Sequence, residues 1–152
     1  MTNQPTDQEA TERILKESHT ITVVGLSSDP ERPSFEVAQY LQARGYRIIP
    51  VNPNVSEILE ERAYPDLLSI PDKVDAVNIF RRAEAVPSVV EQAIRIGAKA
   101  VWMQEGIVNE EAARQVRAAG LLVVMDHCMR KETKLLIDAG TLPASTPAIK
   151  IG

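Results

Sequence analysis

Five short apolar runs divide the chain: "TITVVG" (20–25), "YRIIPVN" (46–52), "DAVNIF" (75–80), "AKAVWM" (98–103) and "GLLVVMD" (120–126). They are rich in β-branched residues and lack a clean apolar–polar alternation, the signature of strands buried on both faces of a parallel sheet. Segments with helical spacing separate most of them. The spacing predicts a helix starting near Pro33 or Ser34, turning Phe35, Ala38 and Leu41 inward and ending at Gly45. A second runs from about Glu84 to Ile96, with Pro87 in its first turn, Val86, Val90, Ala93 and Ile94 inward, and Gly97 as its stop. A third follows Asn109 as N-cap; Glu110 and Glu111 in its first turn, and Arg114 and Arg117 later, complement its dipole before Gly120 ends it. Residues 7–17, anchored by Ile14 and Leu15, and residues 130–138, built on Leu135, Leu136 and Ile137, form flanking helices.

The stretch "PNVSEILEERAYPDLLSIPDKV" (53–74) holds three prolines and no sustained period, so one short helical turn at most is expected there. The alternation of strand and helix implies an α/β fold: a Rossmann-like, doubly wound, five-stranded parallel sheet with helices on both faces. Right-handed crossovers suggest the order 3-2-1-4-5, with a ligand crevice at the carboxyl ends of strands one and four. One domain over residues 1–140 is expected, followed by an extended or mobile tail over 141–152.

That arrangement gathers polar segments on one rim: the loop after Gly25, then "NPN" (52–54), "FRR" (80–82), "QEG" (104–106) and "DHC" (126–128). Composition narrows what the rim could serve. The chain has 152 residues, a formal net charge of −4 and one cysteine. The acidity disfavours a nucleic-acid partner, which requires a basic face. No run approaches a membrane span, and the polar start is unlike a secretory signal. A lone cysteine, Cys128, rules out an internal disulfide framework, so a cytoplasmic location is expected.

The strand–glycine–helix junction "VVGLSSDPERPS" (23–34) has the layout by which open α/β sheets present N–H groups to phosphates. Its glycine pattern is not that of a dinucleotide fold: the positions read Gly25, Ser27 and Pro30, and strand two ends in Asn52, Pro53 and Asn54 rather than a carboxylate. An ordinary dehydrogenase is therefore disfavoured. Ser27, Ser28 and Ser34 can donate hydroxyl hydrogen bonds, Arg32 adds charge, and Arg81 and Arg82 can fork onto further phosphates. This inventory suits a ligand with several phosphates.

The stretches "ITVVGLSSDPERPSFEVAQYLQARGYRIIPVNPN", "VDAVNIFRRAEAVPSVVEQAIRIGAKAVWMQEGIVNEEAA" and "GLLVVMDHCMRKE" together resemble the small single-domain CoA-binding protein family. That family is similar in fold to the N-terminal CoA-binding domain of the succinyl-CoA synthetase alpha subunit, and the likeness spans roughly residues 12–135. The resemblance implies coenzyme A or acyl-CoA as ligand. By position it puts Gly25, Ser27 and Ser28 at the phosphates, with Arg32 and Ser34 at the helix start. Asn52 and Pro53 would border the adenosine, Phe80 and Arg81 would lie alongside the ligand, and Gln104, Glu105 and Gly106 would sit near the pantetheine. The synthetase subunit also carries a second domain with a phosphorylated histidine, which neither His19 nor His127 matches, so ligase activity is not implied.

The expected function is CoA binding without catalysis. Three consecutive residues such as Asp126, His127 and Cys128 leave a strand end in different directions and rarely converge as a triad. Cys128 reads as a small buried hydrophobe, His19 as a surface or capping residue, and two separated histidines offer no metal-ligand spacing. Two alternatives stay open: an adenine-nucleotide or NAD(H) sensor reporting to a partner, and an acyl-CoA thioesterase or transferase using Glu105 or Cys128. Trp102 and the terminal "PAIKIG" are candidate contact material for a homo-oligomer or protein partner.

Overall fold

In the computed structural model, which describes residues 4–145, each of the five apolar runs is a strand of one parallel sheet. The strands in chain order are β1 (Thr20–Val24), β2 (Arg47–Val51), a two-residue hairpin β3 (Glu57–Ile58) and β4 (Glu61–Arg62), then β5 (Ala76–Ile79), β6 (Ala100–Gln104) and β7 (Leu122–His127). The helices are α1 (Asp7–Glu17), α2 (Pro33–Ala43), α3 (Val86–Arg95), α4 (Glu110–Ala118) and α5 (Met129–Asp138). α1, α2 and α5 cover one face of the sheet, and α3 and α4, with a 3-10 turn at Leu67–Ser69, cover the other. The doubly wound α/β class is therefore as expected. Among the described residues no helix is long and apolar enough to cross a membrane.

The order of the strands differs from the expectation. The sheet runs β2-β1-β5-β6-β7, which is 2-1-3-4-5 when only its own five strands are numbered, not 3-2-1-4-5. Both orders satisfy right-handed crossovers, so hydrophobic pattern alone does not choose between them. Two contacts between distant parts of the chain do. Asp75, at the head of β5, accepts the His19 and Thr20 N–H groups on one carboxylate oxygen at 2.9 and 3.0 Å, tying the start of β5 to that of β1. The outer side of β2 is taken by Tyr64, whose N–H donates to Pro50 O and whose carbonyl accepts from Asn52 N. Pro50 itself was the sequence signal for this, because a proline inside a strand belongs at a sheet edge. The reversal of strand order thus falls between β1 and β5, and the crevice opens at their carboxyl ends.

The helices follow their sequence signals closely. α1 has a reciprocal cap between Thr6 and Glu9, and it buries Ile14 and Leu15 almost completely. Burial of two such side chains contributes about 3–6 kcal/mol, enough to hold a helix whose composition is mostly polar. Asn109 caps α4 through its side chain, accepting from Ala112 N at 2.9 Å. In α5 the inward positions are Met129, Thr133 and Leu136, while Leu135 is 60% exposed. Three consecutive apolar residues span most of a turn, so only Leu136 faces the core squarely. Phe35 and Ile94 are half-buried rather than core. The hairpin was not expected, because its turn places Leu59 and Glu60 at φ of 55° and 65° without the Asn or Gly that normally marks such a turn. Trp102 is fully buried, with its indole N–H donating to His127 O at 2.8 Å, so it offers no surface contact. Leu142 packs on the core and the Thr141 and Leu142 N–H groups donate to Leu136 O; "PAIKIG" (147–152) lies outside the described residues.

Candidate functional site

The junction after β1 is built on one glycine. Gly25 has φ +89°, and a Cβ placed on it would stand 2.3 Å from the Phe80 carbonyl oxygen. Only glycine lets the two backbones pass this closely. Gly25 N donates to Val51 O at 3.0 Å and Phe80 N to Val24 O at 2.8 Å, so the ends of β1, β2 and β5 are held side by side. Leu26 then turns fully inward and anchors the loop.

Beyond Leu26 the loop closes on itself. Ser34 Oγ accepts Ser27 N–H at 3.0 Å, Ser27 Oγ accepts Asp29 N–H at 3.0 Å, and Asp29 accepts from Glu31 and Arg32 N–H. Several amides are therefore spent inside the loop. A serine oxygen that accepts keeps its own proton to give, so Ser27 and Ser34 retain outward donors. α2 starts at Pro33 with Arg32 as an extended N-cap that makes no side-chain cap bond, which leaves the guanidinium free of the helix end.

These elements enclose a hollow of about 450 Å³. Gly25, Ser27, Arg32 and Ser34 come from the first loop, Asn52 and Pro53 from the end of β2, and Phe80 and Arg81 from the end of β5. Eight of the residues singled out in the sequence thus meet around one space, joined by Pro33 and Asn54. The lining contains two arginines and no carboxylate, so the hollow is cationic in a chain that is acidic as a whole. Asn52 holds the wall: its Nδ2 donates to Leu26 O at 2.9 Å and its Oδ1 accepts Asn54 N–H at 2.8 Å. This explains an amide at a position where a dinucleotide fold keeps an acid, since a carboxylate could not donate to Leu26.

Five residues stand outside this hollow. Ser28 is exposed on the loop, and Arg82 is exposed at the start of the 3-10 turn Ala83–Ala85. Gln104 is buried and its Oε1 accepts Met129 N–H at 3.3 Å. Glu105 pairs with Lys131 Nζ at 3.0 Å, and this hydrogen bond, aided by the carboxylate charge, holds the lysine pKa above its ordinary value. Gly106 N donates to Asp126 Oδ1 at 2.7 Å, and Asp126 takes a φ of +65°. Asp126, His127 and Cys128 do diverge: Asp126 turns to Gly106, His127 stands 3.6 Å from Glu132 and 3.8 Å from Asp7, and Cys128 is buried.

Residues 19–134 match the family model described as a CoA binding domain. The chain belongs to that CoA-binding domain family. Its CoA-binding domain is 44% identical over 117 residues to the uncharacterized protein YneT of Bacillus subtilis, covering 77% of this chain and 87% of that one. It is 37% identical over 115 residues to the ADP-forming acetate–CoA ligase II of Archaeoglobus fulgidus, covering 73% of this chain but 17% of the ligase. A hypothetical protein from Pyrococcus horikoshii OT3 superposes with a TM-score of 0.81 at 38% identity, covering 90% of this chain and 98% of that structure. The shared region takes in every loop of the rim.

Proposed function

We propose that the chain binds coenzyme A or an acyl-CoA at the carboxyl ends of its strands, and that it acts as a binding protein rather than through catalytic groups of its own. The observation that supports this reading is the cationic hollow beneath Gly25, in which Arg32 and Arg81 face a space without carboxylates. Charge-assisted hydrogen bonds contribute about 1.5–3 kcal/mol each, so two guanidiniums and two serine hydroxyls suffice for a phosphate-rich ligand. In this reading the phosphates sit against Ser27, Arg32, Ser34 and Arg81, and the adenosine borders Asn52 and Pro53. The pantetheine runs toward Gln104, Glu105 and Gly106. Glu105 is engaged by Lys131 and Cys128 is buried, which favours binding over turnover.

Calorimetry and thermal shift with CoA, pantetheine and NADH test the proposal. A ligand at a hundredfold excess over its Kd stabilises the folded state by about 2.7 kcal/mol, so even weak binding registers at millimolar CoA. CoA should stabilise the protein and pantetheine should do so much less. Absence of any CoA effect refutes the reading, and NADH displacing CoA at equal concentration favours the adenine-nucleotide sensor instead.

A further inference from the structure

The first turn of α5 comes back across the sheet to the rim. Gln104 Oε1 on β6 accepts Met129 N–H at 3.3 Å, Asn78 Nδ2 on β5 donates to Met129 Sδ at 3.7 Å, and Arg130 Nε lies 3.5 Å from Glu36 Oε1 in the first turn of α2. α5 and α2 therefore open side by side over the carboxyl ends of the central strands. Lys131 follows, its side chain 55% exposed, with Nζ 3.0 and 3.3 Å from the two carboxylate oxygens of Glu105, the residue after β6.

Among the described residues no other lysine stands there. Lys16 is in the last turn of α1, which leads into β1, and Lys73 and Lys99 lie just ahead of β5 and β6, all at the amino ends of the strands. Lys134 is three residues farther down α5, about 4.5 Å along its axis. It is otherwise matched to Lys131: its side chain is 60% exposed and its Nζ donates to Asp138 at 2.8 Å. That hydrogen bond holds its pKa above the ordinary value, as Glu105 does for Lys131. The two amines differ in place, not in chemistry.

The hollow lies at the ends of β2, β1 and β5, and β2 is the outermost strand of the sheet. The row of strand ends therefore continues from the hollow only toward β6 and β7. An arm that leaves along that row meets Glu105 and Lys131 two strand spacings from β1, about 10 Å.

We propose that Lys131 is a self-acylation site: an acyl-CoA held by its phosphates in the hollow delivers its acyl group to the Lys131 amine. This rests on the CoA reading above and adds a covalent product to it. The unprotonated amine adds to the thioester carbonyl, the C–N bond forms as the C–S bond breaks, and the proton leaving nitrogen ends on the departing thiolate. The products are an Nε-acyl-lysine and free CoA thiol, with no change of oxidation state. The event occurs once per chain, so it requires no regenerating group. It also removes the lysine charge and so releases Glu105.

The test incubates the full chain with acetyl-CoA or with S-acetylpantetheine and follows acetylation of each lysine by peptide mass spectrometry, while calorimetry on the same protein measures CoA binding. With the donor at about 0.1 mM, a tethered acyl group at an effective concentration of about 1 mM or more should modify Lys131 at least about tenfold faster than Lys134 and Lys99. S-Acetylpantetheine, which lacks the phosphates, should modify Lys131 and Lys134 alike. Excess CoA, or Arg32→Ala, should bring Lys131 down toward the rate of Lys134 with acetyl-CoA. Equal rates at Lys131 and Lys134 in a protein that binds CoA overturn the self-acylation site and leave the CoA reading standing. A Lys131 preference that S-acetylpantetheine reproduces in full does the same. Failure of the wild type to bind CoA at all removes that reading, and the acylation site with it.

Discussion

Replacing Gly25 with alanine attacks the turn on which the whole rim is built. The methyl group meets two independent penalties. An L-residue at φ +89° carries about 1–2 kcal/mol of local strain. In addition its Cβ would lie 2.3 Å from the Phe80 carbonyl oxygen and 3.0 Å from Arg81 Cδ. The arginine can swing aside, but the carbonyl belongs to backbone pinned by Phe80 N donating to Val24 O at 2.8 Å. Separating the two chains costs part of that ladder, about 0.5–1.5 kcal/mol for a bond lost. The sum is about 1.5–3.5 kcal/mol, or a fall in Tm of about 3–14 °C for a chain of this length. Gly97→Ala is the control: φ is +77° but among the described residues nothing lies within 4 Å of the added Cβ, so only the strain remains. Urea and thermal unfolding of both variants measure the difference. Gly25→Ala should be less stable than Gly97→Ala by about 0.5–1.5 kcal/mol, the share assigned to the clash. Equal destabilisation would refute the close-approach argument, and the folded Gly25→Ala protein should also bind CoA more weakly, since Phe80 and Arg81 both line the hollow.

Further outcomes follow from other parts of the molecule. Arg32→Ala and Arg81→Ala should each weaken CoA about tenfold or more and leave pantetheine unaffected, as expected for charge-assisted bonds to phosphate; equal losses for both ligands in calorimetry contradict that role. Tyr46 is buried and its hydroxyl donates to Leu15 O; burial, with the nearby Tyr40, pushes its pKa far above the ordinary tyrosine value. The folded pKa is raised, so its contribution is complete below about pH 10 and is lost as pH climbs past the unfolded value. Tyr46→Phe should cost about 1–3 kcal/mol at neutral pH and flatten the alkaline limb of a stability–pH profile measured by urea unfolding. Asn78 is fully buried in β5, and among the described residues its Oδ1 has no hydrogen-bond partner and its amide reaches only Met129 Sδ at 3.7 Å. Asn78→Leu, which keeps the branching at Cγ without a polar atom, should therefore raise stability by about 1 kcal/mol in the same assay; a loss of more than that would show that the amide is needed.

Much of this protein is readable one residue at a time. Five β-branched runs without alternation specify a sheet covered on both faces, because a strand exposed on one side would carry polar residues at every second position. Pro33, Asn109, Gly45 and Gly120 mark helix ends through backbone chemistry that acts within a few residues. Gly25, the serines and the arginines of the rim were legible for the same reason: a loop following a strand and opening a helix has only one place to be in such a fold. The hairpin after β2 is not legible in the sequence because Leu59 and Glu60 adopt left-handed backbone that their side chains do not advertise.

Hydrophobic pattern by itself, however, did not determine which strands are neighbours. Periodicity records which face of a segment is apolar and says nothing about which segment lies next to it, so two right-handed windings fitted equally well. The choice rests on contacts between residues far apart in the chain: Asp75 capping His19 and Thr20, and Tyr64 closing the edge beside Pro50. Those contacts put β5 rather than β6 beside β1, and so brought Phe80 and Arg81 against Gly25. Tertiary structure also separated the "QEG" and "DHC" loops from the hollow, spending Gln104, Glu105 and Gly106 on α5 and on Asp126. The sequence alone determined which residues stand on the rim, because local backbone chemistry places them there. Only the packing of distant strands decided which of them face one another.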